Sequence, residues 1–231
     1  LVTLELVLVV TNYSPHTWLI GWYNLLPELN FPANLARSLV GVWQENRGLG
    51  LYDGMSHIAN LGHTLFLWLL SLAFPTNTLR YIFTFLMHLL GGLGMYVLLK
   101  RMLSARAALV GSLFYLLNPA TIQMFYAPLE AFSVHFTSLP WLAYTLLRYY
   151  EDHTKRSLLL FFGIALFSTP QYFVPTLLLP VGLLLGALSI GKPIRAVLTM
   201  GIGFFLIQSF WLLPYLYGLP ANAPIIAAAK I

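Results

Sequence analysis

Apolar runs about as long as a lipid bilayer is thick dominate this 231-residue chain. A transmembrane helix needs roughly 20 consecutive apolar residues. Only 8% of the residues are charged, whereas a soluble domain carries roughly 25%. The composition excludes a soluble globular enzyme, a disordered tail and a nucleic-acid-binding module. The runs cover residues 58–74, 81–99, 107–125, 131–150, 157–190 and 196–217.

Basic residues in three short connections predict the topology, because Lys and Arg in short loops mark the cytoplasmic side. If all three face the cytoplasm, residues 157–190 form a hairpin and residues 11–80 form one long extracytoplasmic loop. We therefore predict an all-α, multi-pass plasma (inner) membrane protein with about seven transmembrane helices. Residues 1–231 would form one transmembrane domain, which we expect to be a piece of a longer chain. The basic residues are Lys100, Arg101, Arg106, Arg148, Lys155, Arg156, Lys192 and Arg195.

The long loop is predicted to contain two segments at the membrane surface. Residues 32–44 form an amphipathic helix, with Trp43 at headgroup level. The placement of residues 58–74 has two interpretations. If they cross the bilayer, residues 11–56 are cytoplasmic. We favour a re-entrant or interfacial segment, since 17 residues are the lower limit for a span.

The 157–190 hairpin predicts a cavity. Its 34 residues are fewer than the roughly 40 that two full spans need, and prolines interrupt its outer half. Irregular backbone below the membrane surface is tolerated where it lines protein or water, which would place Thr169, Gln171 and Tyr172 at a polar pocket. The alternative is a short, tilted hairpin. The small-residue pairs Gly182/Gly186 and Ala107/Gly111 predict close helix packing.

Acidic residues cluster on the predicted outer side, at Glu28, Glu45, Asp53 and Glu130. Group transfer at that surface needs a base for an acceptor hydroxyl. The alternative is that these acids only hydrate loops. Glu5 lies inside the first helix, where an ionised side chain is energetically unfavourable in a membrane. Such a residue usually marks a substrate or ion pathway, or has a paired side chain.

Cationic and histidine side chains suggest how a ligand could be held. Arg37, Arg47 and Arg80 could bind lipid phosphate bidentately or make ordinary headgroup contacts. Asp53, His57 and His63 could hold a divalent cation, but no complete ligand spacing is present. No cofactor is certain. Without cysteine, the chain has no thiolate site.

The order of these features resembles the GT-C superfamily of polyprenyl-phosphate-sugar-dependent glycosyltransferases. A first helix leads into a long external loop with interfacial helices, and a short outer loop then holds an acid. Several segments also resemble bacterial multispanning proteins related to the mycobacterial arabinofuranosyltransferases. They read GWYNLLPELNFPANLARS, VWQENRGLGL, FYLLNPATIQMFYAPLE, LPWLAY and STPQYF.

The resemblance implies an inverting transferase whose partners are membrane lipids, a polyprenyl-phosphate-linked sugar and a glycan or lipid acceptor, without nucleic acid. It implies a catalytic acid soon after the first helix and a second acid at Glu130. Tyr23 stands where the first acid is expected, so Glu28 or Asp53 would replace it as base. The alternative is a non-catalytic lipid or polymer transporter, or an assembly subunit, of the same fold.

Overall fold

The structure is a computed structural model that describes residues 1–21, 26–41, 43–44, 51–52 and 57–228. The predicted all-helical class is confirmed for these residues; the exception is a pair of two-residue antiparallel strands, β1 (Trp43–Gln44) and β2 (Leu51–Tyr52). The α-helices are α1 (Val2–Asn12), α2 (Phe31–Val40), α3 (Leu61–Ser71), α4 (Thr76–Leu99), α5 (Ala105–Leu117), α6 (Pro119–Tyr126), α7 (Glu130–Asp152), α8 (Lys155–Phe167), α9 (Leu178–Ser189) and α10 (Ile194–Ala228). Short 3-10 helices cover Pro27–Leu29, His57–Asn60, Thr169–Phe173 and Pro175–Leu177.

Fewer helices qualify as complete membrane spans than the seven expected from the apolar runs. By length and apolarity, two in the described part of the chain do so: α4 and the Ile194–Ala221 part of α10. A third is added if α5 and α6, which meet at a 46° bend, count as one. The shortfall arises because α1, α8 and α9 have only 11, 13 and 12 residues, and because α7 contains Glu130, His135, Arg148 and several hydroxyl side chains among its apolar residues.

The segment predicted to be re-entrant or interfacial contains α3, which has 11 residues and is therefore about 16 Å long. That is about half the thickness of a bilayer core. Its placement at a membrane stays a prediction.

Helix α2 is shorter than the predicted helix over 32–44. Its N-terminus is capped by Asn30, whose side chain accepts a hydrogen bond from the backbone N–H three residues later. The helix ends at Gly41, which has a φ of +81° that glycine adopts without strain. Trp43 consequently lies in β1 and not in the helix.

The centre of the fold is the contact of α4 with α5 and α7. Three glycines of α4 allow this approach, because a Cβ atom at each would collide with a large side chain of the facing helix. Gly91 faces Phe136, Gly92 faces Leu116 and Gly94 faces Trp141.

The two small-residue pairs behave differently. In the first pair, a Cβ atom on Gly111 would collide with Leu99, as expected for close packing. The prediction for the second pair is wrong among the described residues, because none of them lies within 4 Å of an added Cβ at Gly182 or Gly186. A GxxxG spacing permits close approach but cannot bring a partner helix to that face.

The connections that follow α4, α7 and α9 meet at one end of the bundle. Arg101 forms an ion pair with Glu151, and the ammonium of Lys192 lies 5.9 Å from the centre of the Tyr150 ring. The three basic connections therefore share an end, as the topology prediction requires. The beginnings of α4 and α7 lie at the opposite end, about 35 Å away along each helix.

A buried hydrogen bond joins α1 to α4. The Glu5 carboxylate Oε2 lies 2.8 Å from His88 Nδ1, and His88 Nε2 lies 3.3 Å from the Leu116 carbonyl oxygen. Glu5 is the only buried side chain of α1. This pair is therefore the main polar attachment of α1 to the bundle.

Candidate functional site

Three charged side chains meet at the end of the bundle opposite the basic connections. Arg80 Nε lies 3.1 Å from Glu28 Oε1 and 3.0 Å from Glu130 Oε1. Arg80 Nη2 also donates a hydrogen bond to Glu28 Oε2 at 3.4 Å. We call Glu28, Arg80 and Glu130 the charged triad.

Separate elements supply the three members of the triad. Glu28 lies on the Pro27–Leu29 3-10 helix, where Pro27 fixes the first position. Arg80 lies in the second turn of α4, and Glu130 is the first residue of α7. The close α4–α7 contact therefore brings Arg80 and Glu130 together, and the Pro27–Leu29 segment before α2 adds Glu28.

The triad is almost completely shielded from solvent, with 5%, 2% and 5% of Glu28, Arg80 and Glu130 exposed. One guanidinium serves two carboxylates, so the group carries a charge of −1 when both acids are ionised. Burial raises the pKa of Glu130 to about 7, against the opposing effect of the Arg80 charge, and the neighbouring Glu28 adds to the rise. Glu130 therefore exchanges its proton near neutral pH.

Two further buried polar residues lie on α3, and His63 is close enough to Arg80 to be affected by its charge. Within the described residues, neither ring nitrogen of His63 has a hydrogen-bond partner, and Thr64 Oγ1 has none either. Burial, helped by the nearby Arg80 charge, lowers the pKa of His63 to about 3. His63 is therefore a neutral imidazole, with one donor and one acceptor available.

The predicted pocket residues of the proline-interrupted hairpin are buried in the Thr169–Phe173 3-10 helix. Gln171 Oε1 lies 2.7 Å from His135 Nδ1. The Tyr172 ring stacks on Trp211, with 4.8 Å between ring centres. These residues contact neighbouring helices, and their roles as substrate-binding groups stay predictions.

The other predicted site residues separate into two groups. Arg37 is exposed on α2, where it could meet a lipid headgroup. Tyr23, Arg47 and Asp53, together with Glu45, lie outside the described residues.

Arg80 was expected to bind phosphate, but the structure places it between two carboxylates. A phosphate there would compete with Glu28 and Glu130 for the same guanidinium. The sequence did not indicate this arrangement, because 52 residues separate Arg80 from Glu28. The sequence does contain one indication of it: in so apolar a chain, an arginine near the start of a helix is expected to have an acidic partner.

A divalent cation finds no ligand set in the part of the chain that the structure describes. No group of three or more His, Cys, Asp or Glu side chains there could hold a metal ion. Arg80 also occupies the position between the two carboxylates that a cation would need. The proposed contribution of Asp53 falls outside the described residues.

Comparison of the chain with protein-family models, curated proteins and solved structures found no match. The geometry of the site itself is therefore the basis for its function. The carboxylates of Glu28 and Glu130 converge on the buried Arg80, the pKa of Glu130 is about 7, and the neutral His63 is nearby.

Proposed function

We propose that this chain is a multi-pass membrane glycosyltransferase that moves a sugar from a polyprenyl-phosphate donor to an acceptor on the extracytoplasmic side. The observation that carries the proposal is the meeting of Glu28 and Glu130 at Arg80, within the described residues. The GT-C resemblance expects two acids at the outer end; Glu130, the first residue of α7, fits the second position, and Glu28 would substitute for the acid missing at Tyr23.

The membrane part of the proposal is supported by the surface of the molecule. Helix α2 is packed with its polar side inward: Asn34 and Ser38 are buried, whereas 73% of Leu39 is exposed. This pattern is favourable where the outer medium is lipid. With α8 and α9 as a broken hairpin and the basic connections in the cytoplasm, the chain would cross the membrane about seven times.

In the proposed reaction, Glu130 acts as the general base, in place of Glu28 or Asp53, which were expected from the sequence to have that role. Asp53 lies outside the described residues, and the raised pKa of Glu130 favours it over Glu28. Glu130 takes the proton of the acceptor hydroxyl as that oxygen bonds to C1 of the donor sugar. The bond between C1 and the phosphate oxygen breaks, and its electron pair leaves with the polyprenyl phosphate. Attack opposite the leaving group inverts C1. A base with a pKa of about 7 suits proton transfer at neutral pH.

The other two members of the triad position this base. Arg80 holds the Glu130 carboxylate, and Glu28 in turn fixes the guanidinium by two contacts. Arg80 also limits how far the Glu130 pKa rises. The phosphate of the donor would need a different cation, for which the exposed Arg37 is one candidate.

The test is transfer of a lipid-linked sugar by the full-length protein in proteoliposomes. Glu130→Gln keeps the size of the side chain and removes the base, so transfer should fall by about a hundredfold or more. Glu151→Gln is the matched control, because Glu151 lies at the opposite end and 64% of its side chain is exposed. Equal activity of the two variants would overturn the proposed role of Glu130.

The alternative function is a non-catalytic transporter or assembly subunit with the same fold. It is favoured by Tyr23 at the position where the resemblance expects an acid, and by the engagement of both described carboxylates with Arg80. Under this alternative, wild-type protein transfers no sugar. Activity gained only in Tyr23→Asp would identify the chain as a relative that has lost catalysis.

A further inference from the structure

A cavity of about 410 Å³ lies between α3, α4, α7 and α8. This volume is within the range of ordinary small-molecule sites. Its walls are apolar except for the ring of His63, and we call it the His63 cavity. The residues that matter for its chemistry and its entrance are His63, Leu69, Phe83, Val134, Gly163 and Phe167.

The His63 cavity is lined by residues that share helix faces with two members of the charged triad. Phe83 and Met87 follow Arg80 by three and seven residues on α4, and Val134 follows Glu130 by four residues on α7, so they lie on the same helix faces. At 1.5 Å per residue, these wall residues are about 5–10 Å deeper than the triad. An elongated molecule in the cavity could therefore place one end beside Glu130.

The entrance of the cavity is on the side of the bundle. Leu69 of α3 and Leu166 of α8 are each 56% exposed, and Phe167 is 45% exposed. In the proposed membrane setting, these side chains face lipid. An apolar chain could thus enter from the bilayer without passing through water.

Among the described residues that line the cavity, His63 alone has a polar side chain, and only 2% of it is exposed. Buried polar groups normally have hydrogen-bond partners, yet both of its ring nitrogens lack one among the described residues. A neutral imidazole can donate one hydrogen bond and accept another. A hydroxyl group also needs one acceptor and one donor, so the two groups are complementary.

We propose that the His63 cavity binds the aliphatic chain of a lipid alcohol and that His63 hydrogen-bonds the alcohol hydroxyl. The acceptor of the proposed transfer is then a lipid alcohol, and this identification rests on the proposed function, whereas the binding does not. The same cavity suits a phosphate poorly. His63 is uncharged, and the nearby Arg80 already contacts two carboxylates, so these two residues offer an anion no unmatched positive charge.

The test compares farnesol with farnesyl phosphate, which share one isoprenoid chain and differ in the head group. Binding of each radiolabelled probe to the full-length chain in nanodiscs gives its Kd. Farnesol should bind saturably, and farnesyl phosphate should bind at least about tenfold more weakly. Tighter binding of the phosphate would overturn the proposal, because the cavity would then hold the donor chain.

Gly163 allows the cavity to be filled without disturbing the helices. Nothing lies within 4 Å of a Cβ atom added there, and the residue lines the cavity. Gly163→Leu should weaken farnesol binding by about tenfold or more, because the new side chain occupies the space. Gly182→Leu is the matched control. Gly182 is also an exposed mid-helix glycine with open space where a Cβ atom would be added, but it does not line the His63 cavity. Equal Kd values for the two variants would contradict the assignment.

His63 variants test the hydrogen bond. His63→Phe keeps an aromatic ring against Phe83 and should raise the farnesol Kd by about three- to tenfold. His63→Gln, which retains a donor and an acceptor, should restore most of the affinity. If both variants bind farnesol as the wild type does, the hydroxyl does not bind His63.

The binding assay and the transfer assay fail independently. If farnesol binds as expected but Glu130→Gln leaves transfer unchanged, the lipid-alcohol site stands and the proposed reaction does not. If Glu130→Gln abolishes transfer to a water-soluble glycan while farnesol does not bind, the reaction stands and the lipid-alcohol acceptor is wrong.

Discussion

Replacing Arg80 by methionine should destabilise the protein more than any other single change in the triad. The methionine side chain fills a similar volume but removes the positive charge between two buried carboxylates. Glu28 and Glu130 then lose the guanidinium that both of them contact, and both side chains are almost completely buried. Local unfolding or uptake of a proton by one carboxylate would relieve their repulsion.

The size of the loss follows from the contacts. Removing one partner of a buried ion pair costs about 3–5 kcal/mol. Arg80 serves two carboxylates, so we expect the upper end, about 5 kcal/mol. At about 2–4 °C per kcal/mol for a chain of this length, the melting temperature should fall by about 10–20 °C at pH 8. The loss should shrink toward pH 5, where protonation removes one of the uncompensated charges.

Thermal unfolding of the full chain in detergent, followed by circular dichroism, measures this effect. The control combines Arg80→Met with Glu28→Gln and Glu130→Gln, which removes all three charges. This triple variant should be more stable than Arg80→Met alone, since both buried carboxylates are removed together with the guanidinium. A single variant that melts within a few degrees of the wild type at pH 8, or a triple variant that melts below it, would refute the reasoning.

Three further predictions use other parts of the structure. The free energy of unfolding should fall as pH rises from about 4.5 to 7, because the Glu130 carboxyl ionises at a lower pH in the unfolded chain than in the folded one. Denaturant titrations at several pH values should show this fall in the wild type, and Glu130→Gln should lack the Glu130 contribution to it. Gly94→Ala, against Trp141, should lower stability by about 1–3 kcal/mol, whereas Gly186→Ala, in open space, should raise it by up to about 1 kcal/mol; calorimetry would separate them. In this cysteine-free chain, an impermeant thiol reagent should label Ser14→Cys but not Lys155→Cys in intact cells, and the reverse would disprove the topology.

Local sequence signals predicted the helical elements and some of their interruptions. The prolines of the 157–190 hairpin predicted the break that the structure shows between α8 and α9. The end of α2 was missed because the apolar spacing of residues 32–44 continues past Gly41. There, the backbone conformation of glycine outweighed the periodicity.

Long-range geometry could not be predicted from the sequence in the same way. The outer acids Glu28 and Glu130 were expected on one side, but their common partner depends on how α4 packs against α7. Similarly, the open face at Gly182 shows that a permissive sequence pattern does not supply the helix that would use it. Both cases depend on which elements far apart in the chain pack together, and the spacing of residues within one helix does not determine that.

The Glu5–His88 pair determines the net charge that α1 places in an apolar environment. A carbonyl oxygen can only accept, so His88 Nε2 must donate its proton to Leu116. A single further proton then lies between His88 Nδ1 and Glu5 Oε2. Whether that proton resides on the carboxyl or on the imidazole, the two side chains together have zero net charge. Helix α1 can therefore keep an acidic residue inside the bundle without burying a net ion.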